Sequence, residues 1–299
     1  MERFIDPKTL ARVKDMPLIA KTVAEGFLHG MQTSMQRGVG IEFSQYRCYE
    51  DGDEINRIDW KLYARSDRYF VREAERESEI DVWFVLDASQ SMLQKSETAS
   101  NQNWDKFEYA KHLIASLSYM AQKQGDSIGY LGISSEQLEF LPSGNGERQW
   151  HRLLQNLVKT NSGNVFPATA LLKQHIAQLQ KPAIIFIVSD FYQQHQEITN
   201  FIGKLNSSVC EVVALQLVCN DELDFNYKGA TRFKDLETGE EVLVSAPQAR
   251  EVYQNNFKNY QNKIQHQLKQ LNTHTHQFNI DQPMDEILFE YLRQRHRIK

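Results

Sequence analysis

The sequence predicts an α/β fold built on a mainly parallel sheet, and three observations predict it. Past Ser78, short apolar runs alternate with longer amphipathic ones. Two of the short runs, "VWFVLD" ending at Asp87 and "AIIFIVSD" ending at Asp190, have the unbroken apolar character of strands buried on both faces. The longer runs place apolar residues at helical spacing, as crossover helices do.

The elements follow in order. "EIDVWFVLD" is the first buried strand. "WDKFEYAKHLIASLSYMAQKQG" is a helix with Phe107, Ala110, Leu113, Ile114, Leu117 and Ala121 on one face and Gly125 as its stop. "SIGYLGIS" and "QLEFLP" are short strands, and "ERQWHRLLQNLVK" is a helix. "PATALLKQHIAQLQ" reads as a helix with Pro167 in its first turn. "PAIIFIVSD" and "CEVVALQLV" are strands, and "ATRFKDLETGEEVLVS", within a hairpin insertion near 229–245, turns at Thr238-Gly239. A long helix carrying Val252, Tyr253, Phe257, Tyr260, Ile264, Leu268 and Leu271 on one face precedes a last strand, "THQFNI", and a last helix, "MDEILFEYLRQR".

Residues 1–78 differ. They open with helical "PLIAKTVAEGFLHGM", alternate like a strand at "GIEFSQYRCY", and then become dense in charge. This is too little apolar material for an independent core, so the segment reads as an extension packed on a unit spanning 79–299, with "RYFVREAE" running into the sheet.

Composition narrows the function. The 299 residues are 41% hydrophobic and 24% charged, which excludes wholesale disorder. A net charge of -5 argues against a dedicated nucleic-acid binder. The basic "RQRHRIK" at the end suits a solvated helix C-terminus. Three scattered cysteines, Cys48, Cys210 and Cys219, make neither a disulfide framework nor a zinc cluster. There is no apolar leader and no run of membrane-spanning length, so a cytoplasmic location is expected.

In an open parallel sheet, ligands bind beyond the carboxyl ends of the strands. Asp87 and Asp190 each end an apolar strand, and Ser89 and Ser91 follow the first. Carboxylate and hydroxyl oxygens together suit a hard cation such as Mg²⁺ with an open coordination position. The pair His274 and His276 lacks a third ligand, and "CNDELDFN" lacks the pattern of a Ca²⁺ loop. No P-loop, nucleophile elbow or Cys-His arrangement appears.

Asp87-x-Ser89-x-Ser91 after a buried strand, with Asp190 after a later one, resembles the metal-ion-dependent adhesion site of von Willebrand factor A domains. That family places a threonine in a loop between the two strands. Here the loop is "NSGNVFPATALL", where Asn164 offers an amide instead of a hydroxyl, and Thr169 falls inside a predicted helix. The N-terminal "GVGIEFSQYRCYEDGDEINRIDWKLYAR" resembles the signature of the bacterial "domain of unknown function 58" proteins. The matching positions are Gly38, Gly40, Glu42, Phe43, Arg47, Tyr49, Gly52, Asp53, Arg57, Ile58, Asp59, Trp60, Ala64 and Arg65. Of these, Asp53 and Arg57 have i,i+4 spacing, Trp60 suits an anchor, and Glu42, Arg47 and Arg65 suit either a polar network or a binding surface, with Asp59 beside them.

The resemblance implies a Rossmann-like A-type domain after a family-specific extension. It also implies a non-enzymatic interaction module holding Mg²⁺ or another divalent cation at Asp87, Ser89, Ser91 and Asp190, with Asn164 beside them. Proteins of this kind are commonly encoded beside MoxR-type AAA+ ATPases, so an adaptor for such an ATPase and its client, in assembly, maturation or stress tolerance, is the implied role. A metal-free scaffold and a metal-dependent phosphoester hydrolase are the alternatives. The hydrolase lacks a visible general base and a phosphate-binding basic cluster.

Overall fold

The structure is a computed structural model that describes residues 16–24, 45–48, 63, 68–73, 81–96, 104–206 and 209–298. The chain divides into two compact units, Gly30–Glu79 and Met1–His29 with Ile80–Lys299. In the smaller unit, β1 (Gln45–Cys48) pairs antiparallel with β2 (Phe70–Glu73) in a sheet of their own. The expected entry of "RYFVREAE" into the main sheet is therefore corrected. "FVRE" carries two charges in four residues, whereas the strands at the centre of the main sheet are apolar throughout. Of the signature residues, Arg47 lies in β1, while Glu42, Asp53, Arg57, Asp59, Trp60 and Arg65 lie outside the described residues.

The larger unit carries a helix over residues 16–24, α1, and a six-stranded sheet. Its strands are β3 (Asp81–Asp87), β4 (Ser127–Ile133), β5 (Leu138–Gly144), β6 (Ala183–Ser189), β7 (Cys210–Val218) and β10 (His274–Asn279). They lie in the order β10-β7-β6-β3-β4-β5, all parallel except the antiparallel edge strand β5. The chain thus builds outward from β3 in one direction and from β6 in the other. Where the winding reverses, between β3 and β6, the loops diverge and leave a crevice at the carboxyl edge.

Both faces of β3 are covered. Trp83 and Val85 join Ile185, Ile187, Leu131 and Ala214 in one buried layer, and Phe84 stacks on Phe186 at 5.5 Å on the neighbouring strand. Gly129 on β4 faces the Trp83 ring so closely that a Cβ there would lie 2.5 Å from it.

Helix α2 (Lys106–Gln124) starts at an Asp105 cap whose carboxylate accepts the Glu108 N–H at 2.7 Å, and ends at Gly125 with φ +90°. Helix α3 (Glu147–Lys159) spans the predicted residues. The predicted helix from Pro167 breaks into a 3-10 turn, Thr169–Leu172, followed by α4 (Lys173–Leu179). Ala168 has no side-chain oxygen to cap the start, and the first turn tightens so that the Leu171 N–H bonds Ala168 O at 3.0 Å.

Helices α5 (Glu197–Leu205), α6 (Asn220–Asp224), α7 (Ala246–Gln270) and α8 (Met284–Ile298) complete the unit, with β8 (Ala230–Lys234) and β9 (Glu241–Ser245) as the hairpin. The hairpin turns through Gly239 at φ +75°. Along α7, Ile264 and Leu268 are buried as expected, but Val252 is 62% exposed. That half of the helix meets the hairpin and α6 rather than the sheet, with Tyr253 stacked on Phe225 at 4.3 Å.

Candidate functional site

The register of the two central strands places the site. Leu86 pairs with Val188, so Asp87 comes level with Ser189 and Asp190 lies one residue further along. Asp87 is fully buried, and both its carboxylate oxygens are engaged inside the protein. The Ser89 N–H donates to Oδ1 at 2.9 Å and the Ser189 hydroxyl to Oδ2 at 2.6 Å. Burial, then the like charge of Asp190, pushes its carboxyl up from 3.8 to about 6, although these hydrogen bonds pull the other way. Neutral donors satisfy the geometry of this carboxylate without balancing its charge.

Beyond Asp87 the chain folds at once into a 3-10 turn, Gln90–Leu93, anchored by the wholly buried Met92. The turn brings two hydroxyls on alternate residues together, with Ser89 Oγ 3.0 Å from Ser91 Oγ. The Ser91 hydroxyl reaches Asp190 Oδ1 at 3.2 Å, and the Tyr192 N–H donates to the same oxygen at 3.0 Å. Past Asp190 the backbone is held in the left-handed region, Phe191 having φ 61°. The Phe191 N–H donates to Ser189 Oγ at 2.8 Å, and its carbonyl accepts the Tyr260 hydroxyl at 2.7 Å. These two bonds offset a conformation that costs about 1–3 kcal/mol.

The other oxygen of Asp190 faces a residue that the sequence reading did not select. Lys106, wholly buried at the first position of α2, donates to Asp190 Oδ2 at 3.3 Å and to Glu222 Oε1 at 2.6 Å. A cation at a helix N-terminus opposes the helix dipole, so the two carboxylates, not the helix, hold it there. Burial disfavours the ammonium, but the negative charges of Glu222 and Asp190 outweigh that and raise Lys106 above the usual lysine range. Glu222 Oε2 in turn accepts the Cys219 N–H at 2.9 Å and caps α6 at the end of β7.

A signal for this pair exists in the sequence. β7, like β3 and β6, runs straight into acidic residues, here "CNDE", and three buried strand tips with acids converge on one edge. The fold, by contrast, brings Lys106 across 84 positions to Asp190.

Asn164 is not drawn into this constellation. Its side chain is exposed and its Nδ2 donates to Glu136 Oε1 at 2.6 Å. Only the backbone of its loop reaches the site, where the Gln90 N–H bonds Asn164 O at 3.0 Å and the Gly163 N–H bonds Ala88 O at 2.7 Å. A Cβ on Gly163 would come within 2.4 Å of Ser134 Oγ, so the close approach requires glycine. Thr169 begins the 3-10 turn, and His274 and His276 lie on β10, His276 against the Tyr291 ring.

Asp190 and Glu222 share one ammonium, Lys106, while Asp87 has none, which leaves a formal balance of two negative charges when Asp87 is ionised. Mg²⁺ binds oxygens at about 2.1 Å, so neighbouring oxygens of its octahedron stand about 3.0 Å apart. The 3.0 and 3.2 Å separations among Ser89 Oγ, Ser91 Oγ and Asp190 Oδ1 match that spacing. Among the described residues there is no group of three or more His, Cys, Asp or Glu side chains arranged to hold a metal ion. Any cation here therefore relies on the serine hydroxyls.

Residues 45–263 match the family model described as protein of unknown function DUF58. The uncharacterized protein Mb1516 of Mycobacterium bovis is 24% identical over 242 residues, which is 78% of this chain and 73% of that protein. Among solved structures, an aerotolerance-related membrane protein from Bacteroides fragilis is similar at 16% identity and a TM-score of 0.44, over 72% of this chain and 97% of that one. The SpRpn10 VWA domain is similar at 10% identity and a TM-score of 0.38, over 70% of this chain and 93% of that one. Among the described residues no helix is long and apolar enough to cross a membrane.

Proposed function

The chain belongs to the DUF58 family, and on that premise we propose that it is a non-enzymatic, cytoplasmic interaction module that presents a divalent cation at the carboxyl edge of its sheet. Ser89 Oγ, Ser91 Oγ and Asp190 Oδ1 are the donors nearest to octahedral spacing, and Asp87 stands behind them as an uncompensated charge. The observation that carries this reading is the charge balance: a surplus of two negative charges beside hydroxyls at ligand spacing is what one divalent ion neutralises. A cation bound there has positions left for water or for an acidic side chain of a partner. A MoxR-type AAA+ ATPase or its client is the partner implied by the family resemblance, and that part of the proposal rests on analogy.

Two observations favour a second reading, a metal-free scaffold. Lys106 already sets a positive charge on Asp190, and the Asn164 amide is turned to Glu136. Calorimetric titration of Mg²⁺ and Mn²⁺ into wild type and Asp87→Ala separates the two. Saturable binding by wild type that is lost in Asp87→Ala is expected. No binding, or equal binding by both proteins, would overturn the cation site. A pull-down of the ATPase with and without chelator then tests the partner, and steady hydrolysis of a generic phosphodiester, lost in Asp87→Ala, would overturn the non-enzymatic reading.

A further inference from the structure

Beside the candidate cation site lies a cleft of about 590 Å³, enclosed by α6, α7, the hairpin and the segment after β6. Its walls are aromatic: Tyr192 stacks on Tyr260 at 5.6 Å, and Phe225 lies between Tyr253 at 4.3 Å and Phe233 at 5.4 Å. Tyr192 is 36% exposed and Val252 62% exposed, so the cleft is open and apolar. Its ionisable lining is mostly acidic, with Asp221, Asp235 and Glu237 beside Lys234, and with Glu222 already paired to the buried Lys106.

Glu237 is the group that gives the cleft its direction. It sits at the tip of the hairpin, half-buried, and among the described residues it forms no ion pair. The tip is fixed, because Asp235 Oδ1 accepts both the Glu237 N–H at 2.8 Å and the Thr238 N–H at 2.9 Å. Burial, and after it the charges of Asp190 and Asp87, pushes the Glu237 carboxyl up to about 7. Glu237 thus lines an aromatic cleft as a half-buried carboxyl group with no ion-pair partner among the described residues.

We propose that this cleft binds an arginine side chain from a partner protein, with the guanidinium against the aromatic wall and Glu237. Charge complementarity selects a cation, and the aromatic walls favour a planar, weakly hydrated guanidinium over a compact ammonium. The protein uses the same chemistry internally, where Lys106 Nζ lies between Glu222 and Asp190 and 5.6 Å from the centre of the Tyr192 ring. The cleft is of the size that encloses a long side chain and its neighbours. The proposal stands without a bound divalent ion, since Glu237, Tyr253 and Tyr260 are not among the candidate ion ligands.

The test is NMR titration in EDTA of N-acetyl-argininamide against N-acetyl-citrullinamide, which has nearly the same shape without the charge. Saturable binding of the arginine probe is expected, with the citrulline probe, Glu237→Gln and Tyr253→Leu each weaker by about fivefold, the size of one cation–π or charge contact. Thermal unfolding checks that both variants remain folded, and Glu237→Gln changes only a turn side chain. Equal binding of the two probes, or an unchanged affinity in Glu237→Gln, would overturn the proposal. So would stronger binding of N-acetyl-leucinamide, which marks an apolar occupant, or dimerisation of the protein abolished by Tyr253→Leu, which marks a second copy. EDTA keeps this outcome separate from that of the cation titration.

Discussion

Asp87 and Asp190 end neighbouring parallel strands, yet their charges are met by opposite means. Asp87 receives a backbone N–H and a serine hydroxyl, neither of which is charged, and its carboxyl stands at about 6. Asp190 receives a serine hydroxyl, a backbone N–H and, in addition, the Lys106 ammonium. The difference shows that hydrogen bonding and charge compensation are separate requirements at a buried carboxylate. This edge meets the first twice and the second once. The asymmetry also gives a direction to any added cation, which gains more from Asp87 than from a carboxylate already paired.

Lys106→Met should break the comparison hardest. It leaves Asp190 and Glu222 buried without their cation, and removing one member of a buried pair costs about 3–5 kcal/mol. Urea unfolding at pH 7 measures the loss. A loss below about 1 kcal/mol would mean that Asp190 does not depend on the ammonium.

Asp87→Asn should act with the opposite sign. The folded carboxyl stands at about 6 against an ordinary 3.8, so folding favours the protonated form. Its contribution is fully present below about pH 4 and is lost as the pH rises through about 6, at a cost of about 3 kcal/mol by pH 7.5. The asparagine escapes that cost but presents an N–H₂ or a misfit to Ser189, which takes back about 1 kcal/mol. In EDTA the variant should be about 1–2 kcal/mol more stable than wild type at pH 7.5 and no more stable at pH 4. Mg²⁺ should then raise the thermal midpoint of wild type alone. A variant destabilised equally at both pH values would remove the uncompensated charge from the account.

The parts of this edge that were legible in the sequence are those set by local chemistry. Apolar runs ending in Asp87 and Asp190, and serines on alternate residues, follow from strand periodicity and turn geometry, and the fold places them together. Lys106 was hidden because a lysine at the first turn of a helix normally lies in solvent, and only the crossover brings it to Asp190. Glu222 is visible as an acid beyond a strand, but its pairing is not, since its partner Lys106 is remote in sequence. The start after Pro167 tightens to a 3-10 turn because Ala168 offers no cap, and the apolar face of α7 is only partly covered, Val252 standing in solvent.

Asn164→Ala gives the smallest effect and the finest discrimination. The loop is pinned to the site by its backbone: the Gln90 N–H bonds Asn164 O, the Gly163 N–H bonds Ala88 O, and the Ser135 N–H bonds Val165 O at 2.8 Å. None of these involves the side chain, which makes one exposed hydrogen bond to Glu136. Removing it should change stability by less than about 0.5 kcal/mol and leave Mg²⁺ affinity within about twofold of wild type. Calorimetry on the same preparation used for Asp87→Asn reads both quantities. An unchanged affinity keeps the ion on the hydroxyls of Ser89 and Ser91 and on Asp190 Oδ1. A tenfold loss would require the amide to leave Glu136 and turn inward when the ion arrives, and the loop would then join the two strand tips as a third ligand-bearing element.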